Sequence, residues 1–382
     1  MEQERKVRLL QDIIAIESVN NHEEEVARFL KDLFDQYEIT SELISYQPGR
    51  ASIVAEIKGH QPGPVLVFAG HTDVVDPGNP DQWTYPPFAG EIHDGYLDGR
   101  GASDMKAGTL ALAIAFCQLK AQAADFKGTV RYIANVAEET DMAGSRQLQA
   151  LGYLADVDGI VVGEPSNEGA FVAHKGAIAF EVSSLGKAAH SSTPDAGVNA
   201  IYQLADYMLT VQSRFEAYQV QHENDLLGQA TTAFTVIEGG NQGNTIPDYA
   251  VVKGSTRPVP EFNNEACIAL FEEIIAEKNA VNPGELRLDI KFSAPPVISD
   301  PHSPLVEALQ AVNDQAVAVG TIGGCTDASF YTQGRLGEID ILIYGPGYTS
   351  EAHTIDEKVS VASYLDFIDK YQNLALAYLN RK

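Results

Sequence analysis

The chain has 382 residues, 45% of them hydrophobic and 21% charged, which is more than one typical domain and enough to build a core without covalent staples. A formal net charge of −27 excludes the basic footprint of a nucleic-acid-binding protein. Its main consequence is solubility, and it also draws cations to the surface. Cys117, Cys267 and Cys325 are too few and too far apart for a disulfide framework or a cysteine-rich zinc site, as in a reducing compartment. The N-terminal MEQERKVRLLQDIIAIE lacks the apolar segment of a signal peptide, and no apolar run approaches ~18 residues. The expectation is a cytoplasmic protein with neither a membrane nor a nucleic-acid partner.

In chain order, PVLVFA (64–69) is a continuous apolar run, the pattern of a strand buried on both faces. MKAGTLALAIAFCQLKA (105–121) reads as a long apolar helix, and TVRYIANVA (129–137) and DGIVVGE (158–164) read as strands. A different rhythm follows: strand 176–186, helix 198–218, strands 231–240 and 250–260, helix 265–280 and strand 286–293. That β-α-β-β-α-β order is the split-βαβ unit. IDILIYG (339–345) then resumes the first pattern. The fold class expected is α/β. A mostly parallel sheet sandwiched by helices forms a catalytic domain from 1–175 and 294–382, with a lid or dimerisation domain inserted at 176–293.

The polar residues fall at one end of the strands. His71 and Asp73 follow the first strand, Glu138 and Glu139 the next, Glu164 the third, and His353 lies in the loop after 339–345. Asp104, in GRGASDMKAG, precedes the long helix. Open α/β sheets bind ligands beyond the carboxyl ends of their strands. Each residue taken alone has a plainer explanation: Asp104 as a helix N-cap, Glu138-Glu139 as a helix first turn, His353 as a surface histidine. Together they would crowd carboxylates without compensation, which is costly. Two divalent cations remove that cost: Asp104, Glu139 and Glu164 with neutral His71 and His353 balance them once a hydroxide is added. Histidine and carboxylate suit zinc, with cobalt or manganese as substitutes.

GHTDVV, GRGASDMKAG, AEET, GEPS and EAHTIDE resemble, in order and spacing, the motifs of the dinuclear-zinc aminoacylase/carboxypeptidase family of metallopeptidases, and the resemblance covers nearly the whole chain. The inserted unit resembles that family's lid through GKAAHSSTPDAGVNA, GNTIPD and TRPVP. The resemblance implies two zinc ions, with Asp104 bridging, His71 and Glu164 completing one site, and Glu139 and His353 the other. It makes Glu138 the general base and has Asp73 bond the other nitrogen of His71. In the lid it makes His190 an oxyanion donor, turns Asn244 toward the substrate, and gives Arg257 the substrate carboxylate. GTIGGCTDASFY (320–331) is similar to the family's substrate loop, where Gly323 and Gly324 allow close approach, although Cys325 departs from the serine or threonine of its desuccinylases. A homodimer through the lid is also implied, with His190 acting in its own site or its partner's.

The expected reaction is hydrolysis of an N-acyl amino acid. N-succinyl-diaminopimelate is the first candidate, N-acetylornithine the second, and a dipeptide or carboxypeptidase substrate the third. Two rivals from other classes are a metal-free binding or scaffold protein, which should have lost ligands, and a two-metal phosphoesterase, which should carry a basic phosphate clamp.

Overall fold

In the computed structural model, residues 1–381 are described. The chain forms two compact units. The first comprises Met1–Val172, Ile298–Thr321 and the chain from Thr326 onward; the second comprises Ala173–Val297 with Ile322–Cys325.

The first unit is built on a mixed sheet whose four central strands are parallel, in the order Thr129–Asn135, Val65–His71, Gly159–Val162 and Asp340–Ile343. Val65–His71 is buried after its first residue and Gly159–Val162 throughout. That burial is why these segments are continuously apolar rather than alternating. Arg50–Lys58 and Ser41–Gln47 add antiparallel on one side, and Ala170–His174 meets Asp340–Ile343 on the other.

The helix Lys106–Lys120 buries nearly every residue, between Val65–His71 and the C-terminal helix Val361–Leu379. A helix apolar all round requires such a place. It approaches the sheet as closely as its sequence allows: a Cβ on Gly108 would stand 1.8 Å from the carbonyl oxygen of Gly163. Only glycine fits there, and the contact sets the start of this helix beside the end of Gly159–Val162.

The second unit is a four-stranded antiparallel sheet, ordered Thr231–Gly239, Tyr249–Arg257, Ala177–Leu185, Glu285–Ala294. The helices Ala200–Gln219 and Asn264–Val281 pack on it. Asn199 and Asn263 cap them, each side chain accepting from backbone amides of the first turn. A small ladder pairs Ala189–His190 with Thr245–Ile246. Among the described residues, no helix is long and apolar enough to cross a membrane.

Candidate dinuclear metal centre

Parallel strands bring four chain segments out at one sheet edge. His71 closes Val65–His71, Glu138 and Glu139 follow Thr129–Asn135, Glu164 follows Gly159–Val162, and His353 lies between Asp340–Ile343 and Lys358–Ser360. Asp104 joins them from the turn before the long helix. It is not a cap: Met105 holds the N-cap position, and no side chain hydrogen-bonds that end. Glu138 and Glu139 do not start a helix either, since Ala137 turns the chain with φ 68° and the next helix begins at Ala143.

The geometry centres on Asp104. Its Oδ1 lies 3.2 Å from His71 Nε2 and its Oδ2 lies 3.4 Å from His353 Nε2. His71 Nε2 is also 3.6 Å from Glu164 Oε1, and His353 Nε2 is 2.9 Å from Glu139 Oε2. The side chains divide into three overlapping sets, His71–Asp104–Glu164, Asp104–Glu139–His353 and His71–Glu138–Glu139, each with its ligand atoms within 4.8 Å of one another. Asp104 is common to the first two, and the third brings Glu138 beside His71 and Glu139.

His71 Nδ1 lies 2.9 Å from the carbonyl oxygen of Asp73 and 3.7 Å from its Oδ1. A carbonyl only accepts, so Nδ1 carries a proton, and Nε2 is the nitrogen left to bind an ion once the proton it shares with Asp104 is displaced. The Asp73 carboxylate accepts the backbone amides of Glu138 (3.2 Å) and Glu139 (3.0 Å), one on each oxygen. It thereby fixes the turn that carries both acids.

Burial, reinforced by the surrounding carboxylates and opposed by His71, pushes Glu138 and Glu164 well above the ordinary carboxylate range. His71 is also held well above its usual value: burial disfavours its charged form, but the hydrogen bond to Asp104 and the charges of Glu164 and Asp73 outweigh it. The protein alone therefore compensates this cluster with protons. Divalent cations would do the same with positive charge. Glu139 Oε1 is buried without a hydrogen-bond partner, an acceptor that a cation would satisfy. Nitrogen and carboxylate oxygen in two overlapping sets fit a pair of zinc-like ions.

The residues expected in the lid are not all together. The Ala189–His190 ladder sets His190 beside Asn244, whose carbonyl accepts the Ser191 amide at 2.9 Å. Arg257 ends the strand that Tyr249 begins, so it lies roughly 25 Å from Tyr249, the end that follows Asn244 in the chain, at about 3.3 Å per residue. It sits at the end where the chain enters the unit, near His174. Gly323 and Gly324 are exposed, and a Cβ on either would meet nothing within 4 Å.

Sequence reasoning did not single out Arg100, Ser103 or Glu357, which bind the loops carrying Asp104 and His353 together. Nor did it find Asn135, Asp327 and Tyr331, a buried hydrogen-bonded group joined to the end of Thr129–Asn135. The signal available was an acid four residues after His353, inside the motif EAHTIDE.

Sheet and donor cluster together present a candidate dinuclear metal centre. The description of Peptidase family M20/M25/M40 matches residues 67–377, and the chain belongs to that family. It is a hydrolase acting on amide bonds. A protein from Staphylococcus aureus (strain N315), named probable succinyl-diaminopimelate desuccinylase, is 37% identical, with the alignment covering 100% of this chain and 99% of that one. Among solved structures, an M20 family metallo-carboxypeptidase from Sulfolobus solfataricus superposes with a TM-score of 0.79 at 18% identity, over 99% of both chains. A dinuclear metal-binding M20 peptidase from Bacillus subtilis superposes with a TM-score of 0.74 at 20% identity, over 99% of this chain and 98% of its own.

Proposed function

We propose that this protein is a two-zinc deacylase that hydrolyses an N-acyl amino acid, with N-succinyl-diaminopimelate cleaved to succinate and diaminopimelate in lysine biosynthesis. The observation that carries the reading is Asp104, which turns one oxygen toward each histidine of the cluster. His71 and Glu164 would hold one ion, Glu139 and His353 the other, and Asp104 would be shared. Cobalt or manganese would substitute for zinc. The substrate assignment is supported by full-length similarity to proteins named as probable desuccinylases of that compound.

When bound, the ions would polarise the scissile carbonyl and lower the pKa of water. The chain's own groups do the rest. Glu138, half-buried with a carboxylate oxygen within 4.8 Å of donor atoms of His71 and Glu139, takes a proton from water as attack begins and delivers it to the leaving nitrogen. The C–N bond breaks, leaving a carboxylate and an amine. His190 donates to the oxygen that gains charge, Asn244 orients the acyl amide, and Arg257 grips the amino-acid carboxylate in a bidentate pair.

His190 and Asn244 sit at the opposite end of a nine-residue strand from Arg257, and one small substrate does not span that strand. Sharing between two copies resolves this, which supports a homodimer in which His190 serves the partner's site. The strand Thr231–Gly239 supports it further. It is a sheet edge with Val236 and Ile237 exposed, and Tyr202 and Leu209 are exposed on the neighbouring helix. An exposed apolar edge strand is a template for pairing with another chain.

The test is turnover by purified zinc-loaded protein of N-succinyl-diaminopimelate, N-acetylornithine, a dipeptide series and a phosphoester. The highest kcat/KM is expected for the succinyl compound. A preference for acetylornithine or dipeptides would keep the chemistry and replace the substrate. Turnover of the phosphoester alone would discard both.

A further inference from the structure

The turn that presents Asp104 is not shaped by its own sequence alone. One carboxylate from the loop of His353 holds it. Glu357 Oε1 accepts the backbone amides of Ser103 at 2.8 Å and of Asp104 at 2.9 Å. Its Oε2 accepts the amide of Gly101 at 3.0 Å and a guanidinium hydrogen of Arg100 at 2.6 Å. Its own carbonyl takes the Gly99 amide at 2.9 Å. Five donors from residues 99–104 thus converge on one residue about 250 positions away. Glu357 is only 1% exposed, so each bond is made where water cannot compete, and losing one leaves a buried amide unpaired.

The same two loops are fastened at a second point. Ser103 Oγ donates to the Tyr348 carbonyl at 3.2 Å and accepts the Tyr348 amide at 3.1 Å. His353 lies between these fastenings, at positive φ and about half exposed. The segment after it is also tied down, with the Asp356 carboxylate taking the amide and hydroxyl of Thr84. His353 has little packing to place it, and its position relative to Asp104 depends on these ties.

We infer that Glu357 is a positioning residue for metal binding: by gripping the amides of Gly101, Ser103 and Asp104 it fixes the Asp104 carboxylate between His71 and His353 and sets the span of the two ligand groups. Arg100, stacked 5.2 Å from the Trp83 ring, neutralises it. The inference rests on the dinuclear reading above. Outer groups that orient ligands typically contribute 10–100-fold in metal affinity.

Glu357→Gln and Glu357→Asp are the informative variants. The glutamine keeps the shape but turns an NH2 group toward donors. The aspartate keeps the charge for Arg100 but withdraws the carboxylate by about 1.5 Å, one C–C bond, out of reach of the amides. Metal-stripped proteins are titrated with zinc against a chromophoric chelator and with cobalt by visible absorption, alongside thermal melts of the metal-free forms. Both variants should bind the metal pair about 10–100-fold more weakly, with an altered cobalt spectrum. A role only as charge partner of Arg100 would leave Glu357→Asp binding like the wild type, and that result overturns the inference. Should neither variant fold, hydrogen exchange in metal-free wild-type protein decides: the Ser103 and Asp104 amides should be protected like core strands, and exchange as fast as in exposed loops overturns it. Wild-type protein that binds no metal would instead refute the dinuclear reading itself.

Discussion

Glu138 and Glu139 are adjacent in sequence and separated in task. Glu139 Oε2 faces His353 at 2.9 Å, whereas Glu138 lies on the His71 side, with a carboxylate oxygen within 4.8 Å of donor atoms of His71 and Glu139. Asp73 holds the backbone of both, so exchanging one side chain need not move the other. Glu138→Gln should retain both metals and lose about 10²–10⁴ in kcat, the usual cost of a general base. Glu139→Gln should lose metal. Metal analysis beside kcat for the two variants checks this, and normal turnover by metal-loaded Glu138→Gln would reverse the assignment. The site was legible in sequence because strand ends can be recognised from apolar runs and the acids and histidines follow them directly. Glu357 was harder to single out, because apart from Arg100 its partners are backbone amides, which leave no mark in a sequence.

At the level of elements, Thr231–Gly239 carries the quaternary prediction. A register shift between Phe234 and Val236 interrupts its alternation, so Val236 and Ile237 are both exposed, at 43% and 57%. If two copies pair along this edge, Ile237→Lys places an uncompensated charge in the interface, at a cost of several kcal/mol. Each 1.4 kcal/mol weakens association tenfold, so dimer dissociation should rise by about 10²-fold or more. Analytical ultracentrifugation should find a wild-type dimer and a monomeric variant with reduced kcat. A wild-type monomer at micromolar concentration would remove the dimer and the shared site together. Element identities along both units follow from period and composition, but ends do not. Strand 129–137 stops at Asn135, because Ala137 adopts φ 68° to bring Glu138 and Glu139 back under Asp73.

For the whole molecule, charge and metal set the solution behaviour. Chelation should abolish activity, and zinc or cobalt should restore it. It should also lower the melting temperature, since a ligand at 100 times its dissociation constant stabilises the fold by about 2.7 kcal/mol. Full activity in metal-depleted protein would exclude the mechanism. Acid should act through a separate group. Burial holds His174 down to about 4, and its ring Nδ1 lies 2.9 Å from the Lys175 carbonyl. The unfolded chain therefore takes up this proton first. The stability it confers is complete above pH ~6.5 and is lost progressively toward pH 4, by about 2 kcal/mol at pH 5. Urea unfolding at pH 7 and 5 should show this extra loss in the wild type but not in His174→Gln. Equal pH dependence in the two would place the acid sensitivity elsewhere.

The sequence alone determined the α/β class, the inserted β-α-β-β-α-β unit and the identities of the acids and histidines at the strand ends. These follow from local quantities: the period of apolar residues, the turn residues between them, and the side chains just beyond each strand. Only the tertiary structure decided that Asp104 turns one oxygen to each histidine, that a carbonyl fixes the His71 tautomer, and that Glu357 clamps the Asp104 turn. The first and last of these depend on distances between segments separated by tens to hundreds of residues, set by parallel strand pairing and by Gly108 against Gly163, and the second on a turn two residues long. A one-dimensional pattern shows which groups are available. The packing of strands and helices fixes the few ångströms between them, and those distances determine whether the groups can hold an ion.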